Sequence, residues 1–330
     1  MDSGGDSEEG IGAERVACER VNRKKFWVGI LRGEQLKSGR IFAILKHMCE
    51  AVDRVKRWRV AEAVAREAGA LQKRRFLART SDEVAYQFKG PQDYLTATDG
   101  EVERMVRERL LAAFPTDTML GEEGGGEVSG HTWVVDPIDG TSNFARGIPH
   151  FCVSIALVER GETERAGTEQ AETERATVGV IYAPMVDELY SAAEREGAWL
   201  NGERMRVSTA TRLDRSLVEL GWASRQPKAE YLEMLRRGME AGLGVRGAGS
   251  GSLAAAQVAA GRVDACVELH MYAWDWLAGM VMAREAGARV NQFLGGDALR
   301  KGNFVFAAAP GIAEELVAAL GVAGRLEMVD

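Results

Sequence analysis

Two aspartates stand three residues apart in the segment WVVDPIDGTSNF, which covers residues 133–144. The run at 132–135 is typical of a β-strand, and Gly140 after the second aspartate is typical of a turn. We therefore expect a strand to deliver Asp136 and Asp139 into one turn, where their carboxylates converge. Clustered carboxylates repel each other, and a hard cation with oxygen ligands such as Mg²⁺ relieves that repulsion. An ordinary turn bent at its Asp-Gly pair would explain a bare DxxDG pattern equally well.

The residues that follow this pair are suited to an anion. Gly140, Thr141 and the next residues stand at the expected start of a helix. Unpaired backbone N–H groups point outward at such a start and can donate hydrogen bonds to a phosphate. The same turn therefore offers a place for a phosphate beside the two carboxylates.

Four further acidic residues could take part, although each has a plain structural explanation. Glu122 belongs to a Gly-Glu-Glu run, and adjacent acids in a Gly-rich loop are usually just solvated. Asp99 and Asp275 each precede or open an expected helix, so that either could be a simple helix cap. Glu268 stands at the end of an expected strand, where a glutamate is usually a surface residue. From these residues alone, both interpretations stay open.

The composition of the chain favours small-molecule chemistry. The 330 residues carry a formal net charge of −7 and a pI near 5.4, whereas a nucleic-acid partner normally requires a basic face. We therefore expect no nucleic-acid partner. No CxxC pair occurs, so that neither a zinc site nor a disulfide framework is predicted. The cysteines are Cys18, Cys49, Cys152 and Cys266.

The longest apolar runs are too short to span a membrane. Residues 26–31 and 41–45 fall well below the roughly 20 residues that a membrane helix needs. Residues 1–10 are acidic and glycine-rich, which is unlike a signal peptide. We therefore expect a soluble, cytoplasmic protein without a membrane partner.

The first part of the chain divides near residue 48. Residues 1–47 show no sustained period and are predicted to be poorly ordered, and Met48 could be the native start. From there, apolar residues recur at intervals of three and four, which indicates an amphipathic helix. A second helix is predicted at 100–114, capped by Thr98 or Asp99, and residues 89–99 before it are predicted to form a loop.

The remainder alternates between strands and helices, which favours a layered α/β or α+β architecture. One exception is the segment 162–176, a five-residue ETERA-type repeat, which we interpret as an expanded, solvated hairpin tip rather than a docking segment. The predicted strands are 132–135, 152–158, 177–182, 188–192, 198–200, 263–268 and 304–308, and the predicted helices are 228–241, 253–260 and 274–286.

The string WVVDPIDGTSNF resembles the WxxDPxDGTxNF signature of the inositol monophosphatase family. Four more segments are similar to family motifs in the right order, and together they cover about residues 50–320. One departure is Gly124-Gly125-Gly126, where the family has a small residue such as serine after its GEE element. The further matching segments are KGPQDYLTATD (89–99), GEE (121–123), RGAGSGSLAAAQVAAG (246–261) and AWDWLAG (273–279).

The resemblance implies roles for individual residues. Asp99 and Thr141 would be catalytic and take the proton of an attacking water. Two or three Mg²⁺ ions per subunit would be bound, one activating the water and another steadying the leaving alkoxide. The implied metal ligands are Glu122, Asp136, the Ile138 carbonyl, Asp139 and Asp275. The implied substrate-binding residues are Asp139, Gly140, Thr141, Gly249, Ser250, Gly251 and Glu268.

The same resemblance implies a fold and an assembly. It predicts an α+β protein, a layered α-β-α-β-α sandwich of the sugar-phosphatase type, with one domain at 48–330 after the extension 1–47. The N-terminal α+β half of this domain would end at about residue 205, and the C-terminal α/β half would begin at about residue 206. The protein would be a homodimeric, Mg²⁺-dependent, lithium-sensitive phosphatase.

The substrate is less sharply defined than the chemistry. Residues 143–150 and Glu268 look like those of inositol-type members, which favours inositol monophosphate. Histidinol phosphate is the alternative, followed by fructose bisphosphate and adenosine 3',5'-bisphosphate, because phosphatases for these esters share the same metal ligands. A non-catalytic, metal-binding regulatory protein of the same fold is a further alternative, although all five expected carboxylates are present. No GxSxG motif accompanies the histidines, so a Ser-His-Asp hydrolase is not predicted.

Overall fold

The computed structural model describes residues 38–78, 86–90, 93–163, 171–223, 226–326 and 328–329. The helices are α1 (Ser38–Ala78), α2 (Ala97–Ala113), α3 (Thr141–Arg146), α4 (Lys228–Glu240), α5 (Gly251–Ala259), α6 (Ala273–Ala286), α7 (Ala298–Lys301) and α8 (Ala313–Leu320). The strands are β1 (Tyr86–Gly90), β2 (Asp93–Thr96), β3 (Thr118–Gly121), β4 (His131–Asp139), β5 (Cys152–Thr163), β6 (Ala171–Ala183), β7 (Glu188–Ala193), β8 (Gly197–Leu200), β9 (Glu203–Arg204), β10 (Leu217–Gly221), β11 (Gly244–Arg246), β12 (Ala265–Met271), β13 (Arg289–Asn291), β14 (Asn303–Ala308) and β15 (Met328–Val329).

Two large mixed sheets organise these strands. The first has the order β3-β4-β5-β6-β7-β8-β9, in which β3 and β4 are parallel and all other neighbours are antiparallel. The second has the order β11-β10-β12-β14-β13-β15, in which β10 is parallel to both of its neighbours. Strands β1 and β2 form a separate hairpin. Helices packed on mixed sheets make this an α+β fold, as predicted.

Three apolar clusters produce five layers. Helices α1 and α2 pack on one face of the first sheet, where Trp58, Val102 and Trp133 share a core. Helices α5 and α6 lie between the two sheets in a second core, and α4 and α8 cover the outer face of the second sheet. The order of layers is therefore α-β-α-β-α, as the family resemblance implied.

Close backbone approach fixes the central helix α6. A Cβ atom on Gly179 of β6 would lie 2.3 Å from the Ala278 carbonyl oxygen, and one on Gly279 would lie 2.3 Å from the Ala255 Cβ. Small residues at these positions let α6 press against the first sheet and against α5 at once. This packing sets the position of the N-terminus of α6, which carries Asp275.

Several sequence-based boundaries need correction. Residues 93–99 were expected to be a loop, but they contain β2 and the first turn of α2, whose N-cap is Thr96 rather than Thr98 or Asp99. Helix α1 begins at Ser38, inside the segment expected to be poorly ordered, and residues 1–37 lie outside the described residues. The division at residue 48 and the halves at 205 and 206 stay predictions.

The ETERA repeat continues a hairpin. Strands β5 and β6 extend into it from both sides, with Thr163 paired to Ala171, while residues 164–170 lie outside the described residues. Ala176 is buried in the core, so the repeat contributes one core residue that its polar composition did not predict. Cys49, Cys152 and Cys266 are free thiols. No helix in the described part of the chain combines the length and apolarity needed to cross a membrane.

Candidate active site

Strand β4 delivers two aspartates to one end of the first sheet. Asp136 and Asp139 are almost fully buried, with exposures of 2% and 7%. The pairing of β4 with β5 is interrupted between them, and such an irregularity bends a strand and re-aims its side chains. The two carboxylates converge as expected, but both belong to the strand, whose last residue is Asp139, rather than to the turn that follows it.

Asp275 completes a carboxylate cluster with these two residues. One carboxylate oxygen from each of Asp136, Asp139 and Asp275 lies within 4.8 Å of the others. Asp275 stands in the first turn of α6. The Ser154 hydroxyl donates to the Trp274 carbonyl at 3.0 Å and the Ser252 hydroxyl to the Asp275 carbonyl at 2.9 Å, which holds that turn in place.

Burial and mutual repulsion disfavour negative charge in this cluster. Burial raises the pKa of Asp136 well above its usual range, and the negative charges of Glu122, Asp139 and Asp275 raise it further. Burial likewise raises the pKa of Asp139, although hydrogen bonds from Ser250 and Ser252 lower it in part. A bound cation would reverse this penalty, because opposite charge stabilises the ionised form.

The start of α5 holds the second of these carboxylates. Asp139 accepts a hydrogen bond from the Ser250 hydroxyl at 2.7 Å, one from the Ser252 amide at 2.6 Å and one from the Gly251 amide at 3.3 Å. Unpaired N–H groups at a helix start favour negative charge. Ser250 and Gly251, predicted to contact substrate, therefore orient a carboxylate of the cluster; their contact with substrate stays a prediction.

The turn after β4 is fixed by one glycine and one asparagine. Gly140 has φ +94°, and a Cβ atom there would lie 2.9 Å from the His150 carbonyl oxygen. The Asn143 side-chain amide donates to the carbonyls of His150 at 2.8 Å, Ala248 at 2.9 Å and Gly249 at 3.3 Å. Asn143 thus joins this turn to the segment that precedes α5.

Four apolar side chains support the turn from below. Ile138 and three phenylalanines form a small buried cluster. The ring centroids of Phe76 and Phe151 are 4.9 Å apart, and those of Phe144 and Phe151 are 5.0 Å apart in an edge-to-face arrangement. This packing explains why an aromatic residue ends the DGTSNF string.

A hydroxyl lies between a buried carboxylate and a backbone carbonyl of the turn. The Thr141 Oγ1 lies 2.7 Å from the Ile138 carbonyl oxygen and 3.4 Å from Asp99 Oδ1. Since this hydroxyl has a single hydrogen, it donates to one of the two at a time. The structure therefore brings together the predicted catalytic pair, Asp99 and Thr141, beside a predicted carbonyl ligand.

Asp99 caps the start of α2 and also faces the Thr141 hydroxyl, while its catalytic role stays a prediction. Its Oδ2 accepts hydrogen bonds from the Thr96 amide at 2.9 Å and the Thr96 hydroxyl at 2.5 Å. The hydrogen bond from the Thr96 amide, together with the Thr96 side chain accepting from the Asp99 amide, makes a capping box at the start of α2. The Asp99 Oδ1 faces Thr141. Burial raises the pKa of Asp99 to about 6, although the hydrogen bonds from Thr96 oppose the rise. A carboxylate with such a pKa is suited to accept a proton near neutral pH.

Glu122 approaches the cluster from a loop between β3 and β4. Its amide donates to the Val135 carbonyl at 3.1 Å, which ties the loop to the strand that carries Asp136. Glu122 is not one of the three tightly grouped residues, but its negative charge raises the pKa of Asp136. The structure therefore brings Glu122 near the cluster, and its role as a ligand stays a prediction.

Glu268 lies in the middle of β12, an inner strand of the second sheet, rather than at a strand end as expected. It pairs in register with Gly221 across β10 and β12, and a Cβ atom on Gly221 would lie 1.8 Å from the Glu268 Oε2. The absence of a side chain at residue 221 therefore makes room for the Glu268 carboxylate. Substrate binding by Glu268 stays a prediction.

Three residues have supporting roles that the sequence did not predict. Ser252 and Asn143 hold the two turns described above, and the Gln72 side-chain amide donates to the Pro137 carbonyl at 2.6 Å. Gln72 is fully buried and continues the apolar spacing of Ala65 and Ala68 along α1. A polar residue on a buried helical stripe is a signal that could have identified it.

The donor set suits a hard divalent cation. The cluster offers carboxylate oxygens, the Ile138 carbonyl lies beside it, and oxygen ligands of this kind are those that Mg²⁺ takes in proteins. The like charges of the cluster give a physical reason for a cation to bind there. A buried oxygen cluster beside a hydroxyl–carboxylate pair is a site of the metal-dependent phosphatase type.

Comparison with known proteins identifies the family. The profile described as "Inositol monophosphatase family" matches residues 53–323. The chain is 38% identical over 251 residues to the Rhizobium meliloti inositol-1-monophosphatase, covering 74% of this chain and 84% of that protein. It is 37% identical over 243 residues to the Escherichia coli Nus factor SuhB, covering 72% and 85%. A solved structure of the Thermotoga maritima IMPase matches with 31% identity and a TM-score of 0.67, covering 81% and 97%.

The chain therefore belongs to the inositol monophosphatase family. Its five-layered α+β fold is that of the solved relatives, and membership supports phosphatase activity. The family resemblance stated from the sequence motifs is confirmed.

Proposed function

We propose that this phosphatase hydrolyses inositol monophosphate to inositol and inorganic phosphate, with Mg²⁺ bound by the carboxylate cluster. The observation that carries the proposal is the buried group of Asp136, Asp139 and Asp275 within 4.8 Å, next to the Asp99–Thr141 pair. The name of the Rhizobium meliloti relative, inositol-1-monophosphatase, supports the choice of substrate.

The predicted metal ligands are Glu122, Asp136, the Ile138 carbonyl, Asp139 and Asp275, which would hold two or three Mg²⁺ ions. Bound divalent cations increase the acidity of water and neutralise charge on a transferred phosphoryl group. The protein itself orients the carboxylate oxygens of the cluster through hydrogen bonds. The hydrogen bonds from Ser250 and Ser252 hold Asp139, and those from Ser154 and Ser252 hold the first turn of α6.

Asp99 and Thr141 are proposed to remove a proton from the attacking water. When the Thr141 hydroxyl donates to Asp99, its lone pairs are free to accept a hydrogen bond from water. The water proton then passes to Thr141 as the hydroxyl proton passes to Asp99. The oxygen of the water forms the new P–O bond as the P–O bond to the ester oxygen breaks. The departing alkoxide takes a proton from solvent to become the alcohol, and Asp99 returns its proton to solvent afterwards. Because Asp99 has a pKa of about 6, it is ionised and able to accept at pH 7 and above.

The polyol substrate is supported by the position of Glu268. A carboxylate accepts hydrogen bonds from hydroxyl groups, and adjacent hydroxyls of a cyclic alcohol provide such donors. Gly221 makes room for the carboxylate itself, because a side chain at residue 221 would overlap it. The predicted contacts of Gly140, Thr141 and Gly249 with the substrate belong to the same proposal.

Histidinol phosphate is the second candidate, because an aromatic surface lies beside the same glutamate. Trp222 directly follows Gly221 and is 41% exposed, and its ring centroid lies 6.2 Å from that of Tyr231. Burial raises the pKa of Tyr231, and the negative charge of Glu268 raises it further. A flat imidazole ring could stack on such a surface, whereas a cyclohexane polyol would make a weaker contact with it.

Release of phosphate from four esters tests the proposal. Inositol 1-phosphate, histidinol phosphate, fructose bisphosphate and adenosine 3',5'-bisphosphate would be compared with Mg²⁺, with a chelator and with added lithium. We expect chelator-sensitive release that is fastest from inositol 1-phosphate. A preference of tenfold or more for histidinol phosphate, lost in Trp222→Ala, would replace the inositol assignment. Absence of release from every ester would favour the non-catalytic, metal-binding alternative.

The partners of the chain are also part of this proposal. We propose a small phosphorylated metabolite as the main partner, a cytoplasmic location and a homodimer. The expectation that nucleic acid takes no part rests on the acidic charge alone, and relatives named Nus factor SuhB weigh against it. Binding of this protein to RNA at about 0.15 M salt would overturn that expectation.

A further inference from the structure

A buried glutamate outside the carboxylate cluster contacts the loop that carries Glu122. Glu103 of α2 is only 4% exposed. Its Oε2 accepts a hydrogen bond from the Glu123 amide at 2.8 Å, and its Oε1 accepts one from the Gly124 amide at 3.0 Å. The two residues that directly follow Glu122 are therefore held by one side chain.

The loop closes on itself around Glu122. The amide of Gly121 donates to the Gly125 carbonyl and the amide of Gly125 to the Gly121 carbonyl, each at 3.1 Å. With glycines at 121 and 124–126, this segment loses much conformational freedom when it adopts a single structure. Hydrogen bonds from outside the loop are needed to offset that loss.

Arg107 completes the support, one helical turn beyond Glu103. Its guanidinium donates to Glu103 Oε1 at 3.0 Å, to the Gly125 carbonyl at 3.0 Å and to the Met119 carbonyl at 3.2 Å. It therefore neutralises the Glu103 carboxylate and holds both the strand before the loop and the end of the loop. Charge-assisted hydrogen bonds of this kind are the stronger ones in proteins.

The glycines of the loop fit this arrangement. A Cβ atom on Gly121 would lie 2.4 Å from the Glu103 Cδ, and one on Gly124 would lie 2.6 Å from the Glu103 Oε1. The carboxylate therefore occupies the space that side chains at these positions would need. The departure from the family motif at residue 124 has a local steric reason in this chain.

We propose that Glu103, supported by Arg107, is a positioning residue that fixes the loop so that Glu122 is directed at the carboxylate cluster. This inference rests on the proposed role of Glu122 as a ligand. Residues that orient metal ligands typically contribute about 10- to 100-fold to metal affinity. Asp99, Glu103 and Arg107 lie at intervals of four along α2, so one face of this helix serves both the predicted proton acceptor and the predicted ligand loop.

Glu103→Gln tests the inference with little change of shape. Glutamine offers one acceptor oxygen and turns an NH₂ group toward one of the two loop amides, so one hydrogen bond is replaced by repulsion between donors. Calorimetric titration of Mg²⁺ into metal-free protein should show affinity about tenfold or more below wild type. The Mg²⁺ concentration for half-maximal phosphate release should rise by the same factor, while the KM for the ester at saturating Mg²⁺ changes less than about twofold.

Three further variants make the result specific. Arg107→Lys keeps the charge but loses the fork of donors, and it should weaken Mg²⁺ binding in the same direction by a smaller factor. Glu108→Gln, at an exposed position on the same helix, should bind Mg²⁺ as wild type does. Glu122→Gln serves as the reference for loss of the ligand itself.

The outcomes separate this inference from the proposed function. If Glu122→Gln weakens Mg²⁺ binding and both Glu103→Gln and Arg107→Lys leave it unchanged, the positioning role is wrong while the metal site stands. If Glu122→Gln itself leaves Mg²⁺ binding unchanged, the ligand assignment is wrong and the positioning role falls with it. Weaker binding in Glu103→Gln and Glu122→Gln, with Glu108→Gln unaffected, supports the inference.

Discussion

Replacing Asp99 by asparagine should make the metal-free protein more stable and the enzyme much slower. The carboxylate is buried, and its pKa is raised from the ordinary 3.8 to about 6. At about 1.4 kcal/mol per pKa unit, this gap corresponds to a penalty of about 3 kcal/mol for keeping Asp99 ionised in the folded protein. Asparagine removes that penalty, and its side-chain oxygen can still accept the hydrogen bonds from Thr96.

The sign of the effect depends on pH. A carboxyl group with a raised pKa favours the folded state when it is protonated, and this contribution is lost as pH rises through about 6. Wild type and Asp99→Asn should therefore have similar free energies of unfolding below about pH 4. Above about pH 7 the variant should be more stable by up to about 3 kcal/mol. Urea denaturation at about pH 4 and about pH 8 in the presence of a chelator measures the difference.

Catalysis should change in the opposite direction. An amide cannot accept the proton that passes through Thr141, and loss of a general base typically costs about 10²- to 10⁴-fold in rate. Phosphate release at saturating Mg²⁺ measures this loss, with Glu108→Gln as a control for carboxylate-to-amide exchange on the same helix. A variant that is less stable at pH 8 and keeps its turnover would refute the argument and leave Asp99 as a helix cap alone.

Three more predictions address the cluster and its turn. Asp136→Asn should reduce turnover by at least about 10³-fold and raise the stability of the metal-free protein, because it removes a buried like charge. Phosphate release measures the turnover, and urea denaturation with a chelator present measures the stability; near-normal turnover would contradict the metal assignment. Mg²⁺ affinity should fall as pH decreases from 8 to 6, because protons compete for Asp136 and Asp139, whose pKa values are raised. Calorimetry at three pH values measures this affinity, and an affinity that does not change with pH would count against the prediction. Gly140→Ala should lower the free energy of unfolding by about 1 to 3 kcal/mol, because of its positive φ and the close His150 carbonyl, whereas Gly100→Ala, with open space around it, should not; urea denaturation of both compares them.

The sequence could predict the residues of the site better than their supports. Asp136, Asp139 and Asp275 are recognisable because each stands in a short motif whose local structure, a strand end or a helix start, is visible from neighbouring residues. Helix α6 was predicted within one residue of its observed bounds for the same reason, whereas β4 was predicted to end at residue 135 and extends to Asp139. Local periodicity carries this information within a window of about ten to twenty residues.

The supports depend on contacts that no local window contains. The hydrogen bond from Ser250 to Asp139 joins residues 111 apart, and that from Gln72 to Pro137 joins residues 65 apart. Strand β10 was not predicted because its apolar run is short. Its role, next to Glu268 through Gly221, follows only from parallel pairing with β12. Such long-range pairing has no signature in the order of the residues.

The different surroundings of the two β4 aspartates indicate how the site tolerates its own charge. Asp139 is held by a hydroxyl and two backbone amides at the start of α5, so part of its burial penalty is offset without a metal. Asp136 accepts a hydrogen bond from the Ile138 amide at 2.8 Å, and the charges nearest to it are those of other carboxylates. The electrostatic attraction for a cation is therefore strongest at Asp136, where the repulsion between carboxylates is greatest. Asp139 keeps its orientation when no cation is bound. In the proposed Mg²⁺ site, Asp136 therefore supplies most of the electrostatic attraction for the ion, and Asp139 supplies a carboxylate whose orientation is already fixed.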